Sequence, residues 1–190
     1  MLSLVLGLGN IGERYRLSRH NLGFMVVQRL IEANRLTLEP EASEYIWAQK
    51  SSEAAKIILA MPKTYMNRSG AAARVLLQEH NLKPSQMLVV VDDINLPLGR
   101  IRIRRSGSEG GHNGLESIIE TLETDCFPRL RLGIGPLPES ADQVEFVLGE
   151  FSKQEIKSTE KVIALACEAV MFTLEHDLDE AMTIYNQNPA

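Results

Sequence analysis

Alternating strand-like and helix-like patterning predicts an α/β layer fold built on a mixed β-sheet. Three observations carry this expectation. Met87–Val91 is a continuous apolar run, the mark of a central strand covered on both faces. Phe24, Val27, Leu30 and Ile31 recur at helical spacing soon after the apolar run Leu2–Leu8. Arg100-Ile-Arg-Ile-Arg alternates strictly, so its isoleucines face a core and its arginines face away; a hairpin there adds an antiparallel element. No internal repeat, low-complexity tract or Gly/Ser-rich linker interrupts the 190 residues, so one domain over 1–190 is expected.

The elements follow in order. Leu2–Leu8 is short enough for a buried strand, and a glycine-rich turn leads from it into the first helix. Residues 44–61 read as two strands around a Ser51-Ser52 turn. Asn67 has the chemistry of an N-cap for a helix carrying Ala72, Val75, Leu76 and Leu77 and closing near Lys83-Pro84. After the 87–91 strand and the arginine-bearing strand, residues 113–123 suggest a helix with Asn113 as its cap. Arg129-Leu-Arg-Leu-Gly-Ile-Gly is a further alternating strand, and the chain from Lys153 to about Gln187 reads as mostly helical and acidic.

Composition narrows the function classes. Hydrophobic residues at 44% and charged residues at 24% exclude a disordered or fibrous chain. The longest apolar run, Val162–Cys167, is too short to span a bilayer, so no membrane partner is expected. Met-Leu-Ser-Leu-Val-Leu-Gly has neither a basic leader nor a small-residue cleavage site, and Cys126 and Cys167 alone make neither a disulfide framework nor a zinc site. A cytoplasmic address is the expectation. The net charge of −5 conceals an asymmetry: residues 1–105 carry 15 Lys and Arg against 9 Asp and Glu, residues 106–190 only 5 against 16. Such a division can hide a polyanion-binding face behind an acidic average. In its sharper form, arginines 14, 16, 19, 102, 104 and 131 are expected to flank one cleft, with the acidic tail elsewhere.

Four segments have the residue types for chemistry. Gly7-Leu-Gly-Asn10-Ile-Gly12 after a strand matches a dinucleotide-binding pattern, but Glu32, at the distance of its acidic ribose ligand, lies inside the helical periodicity. Ser18-Arg-His20-Asn offers a neutral-pH base that needs an orienting carboxylate. Val89-Val-Val-Asp92-Asp93 places two carboxylates at a strand's end, and strand alternation allows at most one of them to face a given site. Met61-Pro-Lys-Thr-Tyr65-Met66-Asn67-Arg-Ser-Gly and Gly107-Ser-Glu-Gly-Gly-His112-Asn113-Gly both bring asparagine amides to a loop–helix junction. Arg100, Arg102, Arg104 and Arg105 suit phosphate, although a charged edge strand is the competing reading. No Ser or Cys sits in a nucleophile elbow and no two histidines have zinc-ligand spacing, so a water activated by histidine without metal is the natural chemistry.

Taken together, these segments resemble the bacterial-type peptidyl-tRNA hydrolase family. The resemblance runs in order through the Gly7–Gly12 pattern, Arg19-His20-Asn-Leu-Gly-Phe, Lys63-Thr-Tyr-Met-Asn-Arg-Ser-Gly, Asp92-Asp-Ile-Asn-Leu-Pro-Leu-Gly, Gly110-Gly-His-Asn-Gly-Leu, Arg129-Leu-Arg-Leu-Gly-Ile-Gly and Val144-Glu-Phe-Val-Leu-Gly-Glu-Phe. It implies a single three-layer α/β/α domain with a central twisted mixed β-sheet. The implied activity is an esterase that cleaves a peptide from the 3′ end of tRNA, without cofactor. The resemblance makes His20 the general base and Asp92 its orienting group, and sets Asn10 at the blocked amino end of the substrate. Asn67 and Asn113 would hold the peptide backbone, the water or the oxyanion, with Tyr15, Tyr65 and Met66 lining the site. Arg102, Arg104 and Arg131 would contact acceptor-stem phosphates, and a monomer is the default. Ile11, Val91 and Ser18 stand where the family usually has proline, histidine and threonine. A non-catalytic RNA-binding factor on the same scaffold is the alternative; a nicotinamide oxidoreductase is a third reading.

Overall fold

The structure is a computed structural model and describes residues 2–40, 42–51 and 56–187. The chain runs β1 (Leu4–Gly7), α1 (Leu22–Ala33), β2 (Tyr45–Ser51), β3 (Lys56–Pro62), α2 (Ser69–Glu79), β4 (Met87–Pro97), β5 (Ile101–Arg104), α3 (Asn113–Leu122), β6 (Arg129–Gly135), α4 (Gln143–Leu148), α5 (Ile156–Glu175) and α6 (Leu178–Tyr185). The six strands form one sheet in the order β2-β3-β1-β4-β6-β5. β3, β1, β4 and β6 are mutually parallel, and an antiparallel strand closes each edge, β2 on β3 and β5 on β6.

The continuous apolar runs are explained by helices on both faces. Val5, Leu88, Val90, Leu130 and Leu132 pack under α1 and α5, through Val26, Val27, Leu30, Val162, Ala166 and Val170. Leu4, Leu6, Met87, Val89 and Val91 point the other way, to Ala73, Leu76 and Leu77 of α2 and Leu115 and Ile118 of α3. The result is the three-layer α/β/α arrangement. Among the described residues no helix is long and apolar enough to cross a membrane.

Several local expectations are corrected. The antiparallel partner of β5 is β6, reached only after α3, rather than a hairpin neighbour. Asn67 lies inside a short 3-10 turn, Met66–Arg68, and Arg68 occupies the N-cap of α2 without a side-chain bond. The cap of α3 is His112, not Asn113. Ser52, half of the predicted turn between β2 and β3, lies outside the described residues.

The glycine pattern after β1 serves packing. A Cβ on Gly7 would stand 2.3 Å from the Gly23 carbonyl oxygen, so α1 crosses the end of β1 at backbone contact. That helix begins only at Leu22, after 3-10 turns at Glu13–Tyr15 and Arg19–Asn21, and Glu32 belongs to it. A dinucleotide site would need a helix N-terminus directly behind the glycines and an acid at a second strand's end.

Because α1 leaves β1 across one face while α3 covers the other, the carboxyl end of β1 and the stretch of β4 just past Val90, where the two strands cease to pair, border a crevice of the kind in which open α/β sheets hold ligands.

Candidate active site

A cleft of about 300 Å³ opens at that crevice. Its lining includes Asn10, Tyr15, His20, Met66, Asn67, Asp92, Asp93, His112, Asn113 and Arg131, with Val144, Val147 and Leu148 of α4 along one wall. Segments separated by more than 100 residues therefore converge here, delivered by the loops after β1 and β3, by β4 and β6 themselves, by the loop before α3 and by α4. Tyr65 is 51% exposed and stands outside the lining; Arg102 and Arg104 also lie beyond it.

His20 Nδ1 lies 2.9 and 3.0 Å from the two carboxylate oxygens of Asp92, both residues being buried. A carboxylate only accepts, so Nδ1 carries the proton and Nε2 is left as the lone-pair nitrogen of the neutral ring. Burial works against charging His20, but the attraction of Asp92 and its hydrogen bond more than offset it, and the pKa rises above 6.5. Burial likewise opposes ionisation of Asp92, yet His20 and His112 hold its carboxyl far below the usual carboxylate range. The site thus keeps an anion at neutral pH beside a base whose protonated form that anion favours.

His112 reaches the same carboxylate: its Nε2 is 3.2 Å from Asp92 Oδ1. The other ring nitrogen, Nδ1, accepts the backbone N–H groups of Gly114 and Leu115 at 3.1 and 3.3 Å. Two donors on Nδ1 require its lone pair, so the proton sits on Nε2 and is donated to Asp92. His20, Asp92 and His112 present one potential metal-ligand atom each, all within 4.8 Å of one another. Sequence spacing had given no such cluster. Ligation through His112 Nε2 would require removal of the proton that the helix cap places there, so the donor set fits a hydrogen-bonded triad better than a metal.

The expectation that only one of Asp92 and Asp93 faces the site is corrected: both line the cleft, which opens beside β4 just past Val90, where its pairing with β1 stops. Asp93 accepts from Arg131 Nη1 at 3.2 Å. Arg131 Nη2 donates to the carbonyls of Ser108 and Glu109, and Arg129 donates to those of Gly107 and Ser108. Two guanidinium forks on one face of β6 thus grip the loop that delivers His112 and Asn113. Arg131 is therefore only 12% exposed and largely committed internally.

The other arginines divide as well. Arg102 and Arg104 are exposed, on the face of β5 that meets Arg131 and Arg129 across the strand pair, and among the described residues their side chains have neither hydrogen bond nor ion pair. Directly opposed like charges are unfavourable, which suits a face that meets an anion. Arg16 pairs with Glu13, Arg14 lies over the Tyr15 ring, and Arg105 binds Asp177 and Asp179 of the acidic tail. Arg19 is buried between Phe146 and Phe151 and bound to Glu155, fastening the α4 segment beside His20. The six arginines do not all flank one cleft.

A family model described as Peptidyl-tRNA hydrolase matches residues 4–190. The chain belongs to the peptidyl-tRNA hydrolase family. It is 45% identical over 187 residues to the peptidyl-tRNA hydrolase of Aquifex aeolicus, covering 98% of this chain and 97% of that one. To the Synechocystis enzyme of the same name it is 44% identical, covering 96% and 95%. A crystal structure of peptidyl-tRNA hydrolase from Acinetobacter baumannii superposes with a TM-score of 0.89 at 32% identity, covering 96% of this chain and 93% of that one. The departures from the family pattern fall where they disturb little. Ile11 is on the surface, Val91 is buried on the α2/α3 side away from Asp92, and Ser18 donates to the Tyr15 carbonyl oxygen. Sequence reasoning assigned no role to His112, Arg129 or Asn21; the His-Asn dipeptide occurs at 20, 80 and 112, and the copy at 80 lies outside the cleft, so the repeat alone does not single out a site.

Proposed function

We propose that the protein hydrolyses the ester between a peptide, or an N-blocked amino acid, and the 3′ end of tRNA, with His20 as general base. The observation that carries this reading is the His20–Asp92 contact at 2.9 Å inside a cleft that also holds three asparagines. Neutral His20 takes a proton from water at Nε2, and the hydroxide attacks the ester carbonyl. Asp92 orients the ring and stabilises the imidazolium that forms. Asn67 and Asn113 are exposed, cap no helix, and offer N–H donors to the developing oxyanion and the peptide backbone. As the carbon–oxygen bond breaks, the proton on His20 passes to the ribose oxygen, giving a free carboxylic acid and tRNA.

Asn10 sits where a blocked amino group is distinguished from a free one, Tyr15 and Met66 line the cleft, and Tyr65 presents its ring to the 3′ end. Arg102 and Arg104 contact acceptor-stem phosphates, which positions RNA without reading sequence. Arg131 acts chiefly by holding the 107–111 loop. The protein works in this reading as a cytoplasmic monomer of one domain, without metal or cofactor. A release assay on N-acetyl-aminoacyl-tRNA and unblocked aminoacyl-tRNA side by side tests it: rapid release from the blocked ester alone is expected, and no release from either contradicts it.

A further inference from the structure

Asn10 cannot present either end of its amide to the cleft. Its Oδ1 accepts the backbone N–H of Met66 at 2.9 Å, and a backbone N–H only donates, so this end must be oxygen. Nδ2 is the end left for a ligand. The backbone of Asn10 is held in turn by Asn21, whose Oδ1 accepts the Asn10 N–H at 2.7 Å and whose Nδ2 donates to the Asn10 carbonyl at 3.0 Å. One side chain thus satisfies both backbone groups of Asn10, as a neighbouring strand would. Asn21 is 3% exposed, follows His20 directly, and its own N–H is tied to the Ser18 carbonyl. This clasp joins the turn carrying the base to the Asn10 loop, and through Asn10 to the Met66 turn after β3.

We propose that Asn21 is a positioning residue that sets selectivity for N-acylated over free aminoacyl esters, by fixing Asn10 with its Nδ2 donors toward the ligand. The inference rests on the hydrolase reading above. Donors aimed at a ligand require an acceptor. An N-acylated substrate supplies the carbonyl oxygen of the amide on its α-nitrogen, whereas a free aminoacyl ester brings an ammonium with donors only. Donor against donor leaves a polar group unpaired, and sites built on such pairing reject the mismatched ligand strongly. Without the clasp the Asn10 loop is free to turn, its amide can offer Oδ1 to an ammonium, and the two substrates become more alike.

Asn21→Ala tests this with two readouts. The first needs no substrate: amide hydrogen exchange at Asn10 and Met66 is expected to quicken at least tenfold while Val89 and Val90 in β4 keep wild-type rates. The second is the ratio of kcat/KM for N-acetyl-aminoacyl-tRNA over unblocked aminoacyl-tRNA, expected to fall at least tenfold with the acid limb of the pH profile in place. Asn21→Asp keeps the acceptor for the Asn10 N–H and loses the donor to its carbonyl. It is expected to change the ratio in the same direction and stands in should the alanine variant not fold. Unchanged exchange, or equal losses on both substrates, overturns the inference. If the wild-type protein releases neither substrate, the hydrolase reading fails, and the exchange data still decide whether Asn21 holds Asn10.

Discussion

His112 Nε2 donates to Asp92 Oδ1 at 3.2 Å, sharing the oxygen that His20 Nδ1 approaches at 2.9 Å. The ring that caps α3 therefore also braces the carboxylate that orients the base, and the two duties are separable by mutation. Asn caps helices well but is too short to span the same contacts. His112→Asn is expected to keep the melting temperature close to wild type while kcat drops tenfold or more with little change in KM. His112→Ala should also lose about 1 kcal/mol of stability with the cap. Full kcat in the asparagine variant would remove Asp92 bracing from the account.

The raised His20 pKa gives stability and activity opposite trends. Its folded value exceeds the unfolded 6.5, so the Asp92 attraction stabilises the fold fully below about pH 6.5 and is lost as pH rises through the folded value. Turnover needs neutral His20 and rises over that same window. In Asp92→Asn the anion is gone and burial alone acts, so the acid limb of kcat/KM should move to lower pH while the maximal rate falls. A limb that stays in place would mean that another group titrates.

Exposure separates the arginines functionally. Arg104→Glu is expected to raise KM, leave kcat nearly unchanged, and flatten the dependence of log affinity on log salt by about one phosphate contact's worth. Arg131→Gln should chiefly lower kcat, because its guanidinium holds the Ser108 and Glu109 carbonyls ahead of His112. Rate and affinity measured from 50 to 200 mM salt distinguish the two; identical behaviour would return both to one class.

Gly70 lets α2 approach α3 at backbone distance. A Cβ there would lie 2.2 Å from the Ser117 carbonyl oxygen and from Thr121 Oγ1. Gly70→Ala should destabilise the protein by about 1–3 kcal/mol through overpacking, seen as a lowered denaturant midpoint. An unchanged midpoint would mean the helices separate at little cost.

The layer architecture was legible in the sequence because burial leaves a periodic trace: the runs through Val5 and Val89 and the Arg-Ile alternation read directly as strands. His20 and Asp92 were legible as chemistry, and the family resemblance paired them. Helix caps were misread because Asn67 and Asn113 have cap chemistry locally, while tertiary contacts made His112 the cap of α3 and left α2 without one. The fate of single arginines was also hidden. Arg19 and Arg131 look like Arg102 in sequence, and only partners far along the chain, Glu155 and the Ser108 and Glu109 carbonyls, withdraw them from solvent. Asn21 gave no trace, since its role lies in two bonds to one backbone unit eleven residues away.

The most direct test is single-turnover release from N-acetyl-aminoacyl-tRNA by His20→Ala, with tRNA affinity measured in parallel. Loss of a positioned base acts mainly in the transition state, so the chemical step should slow by about 10²–10⁴-fold while affinity remains near wild type. Near-wild-type release by the folded variant would contradict the assignment of His20 as the base.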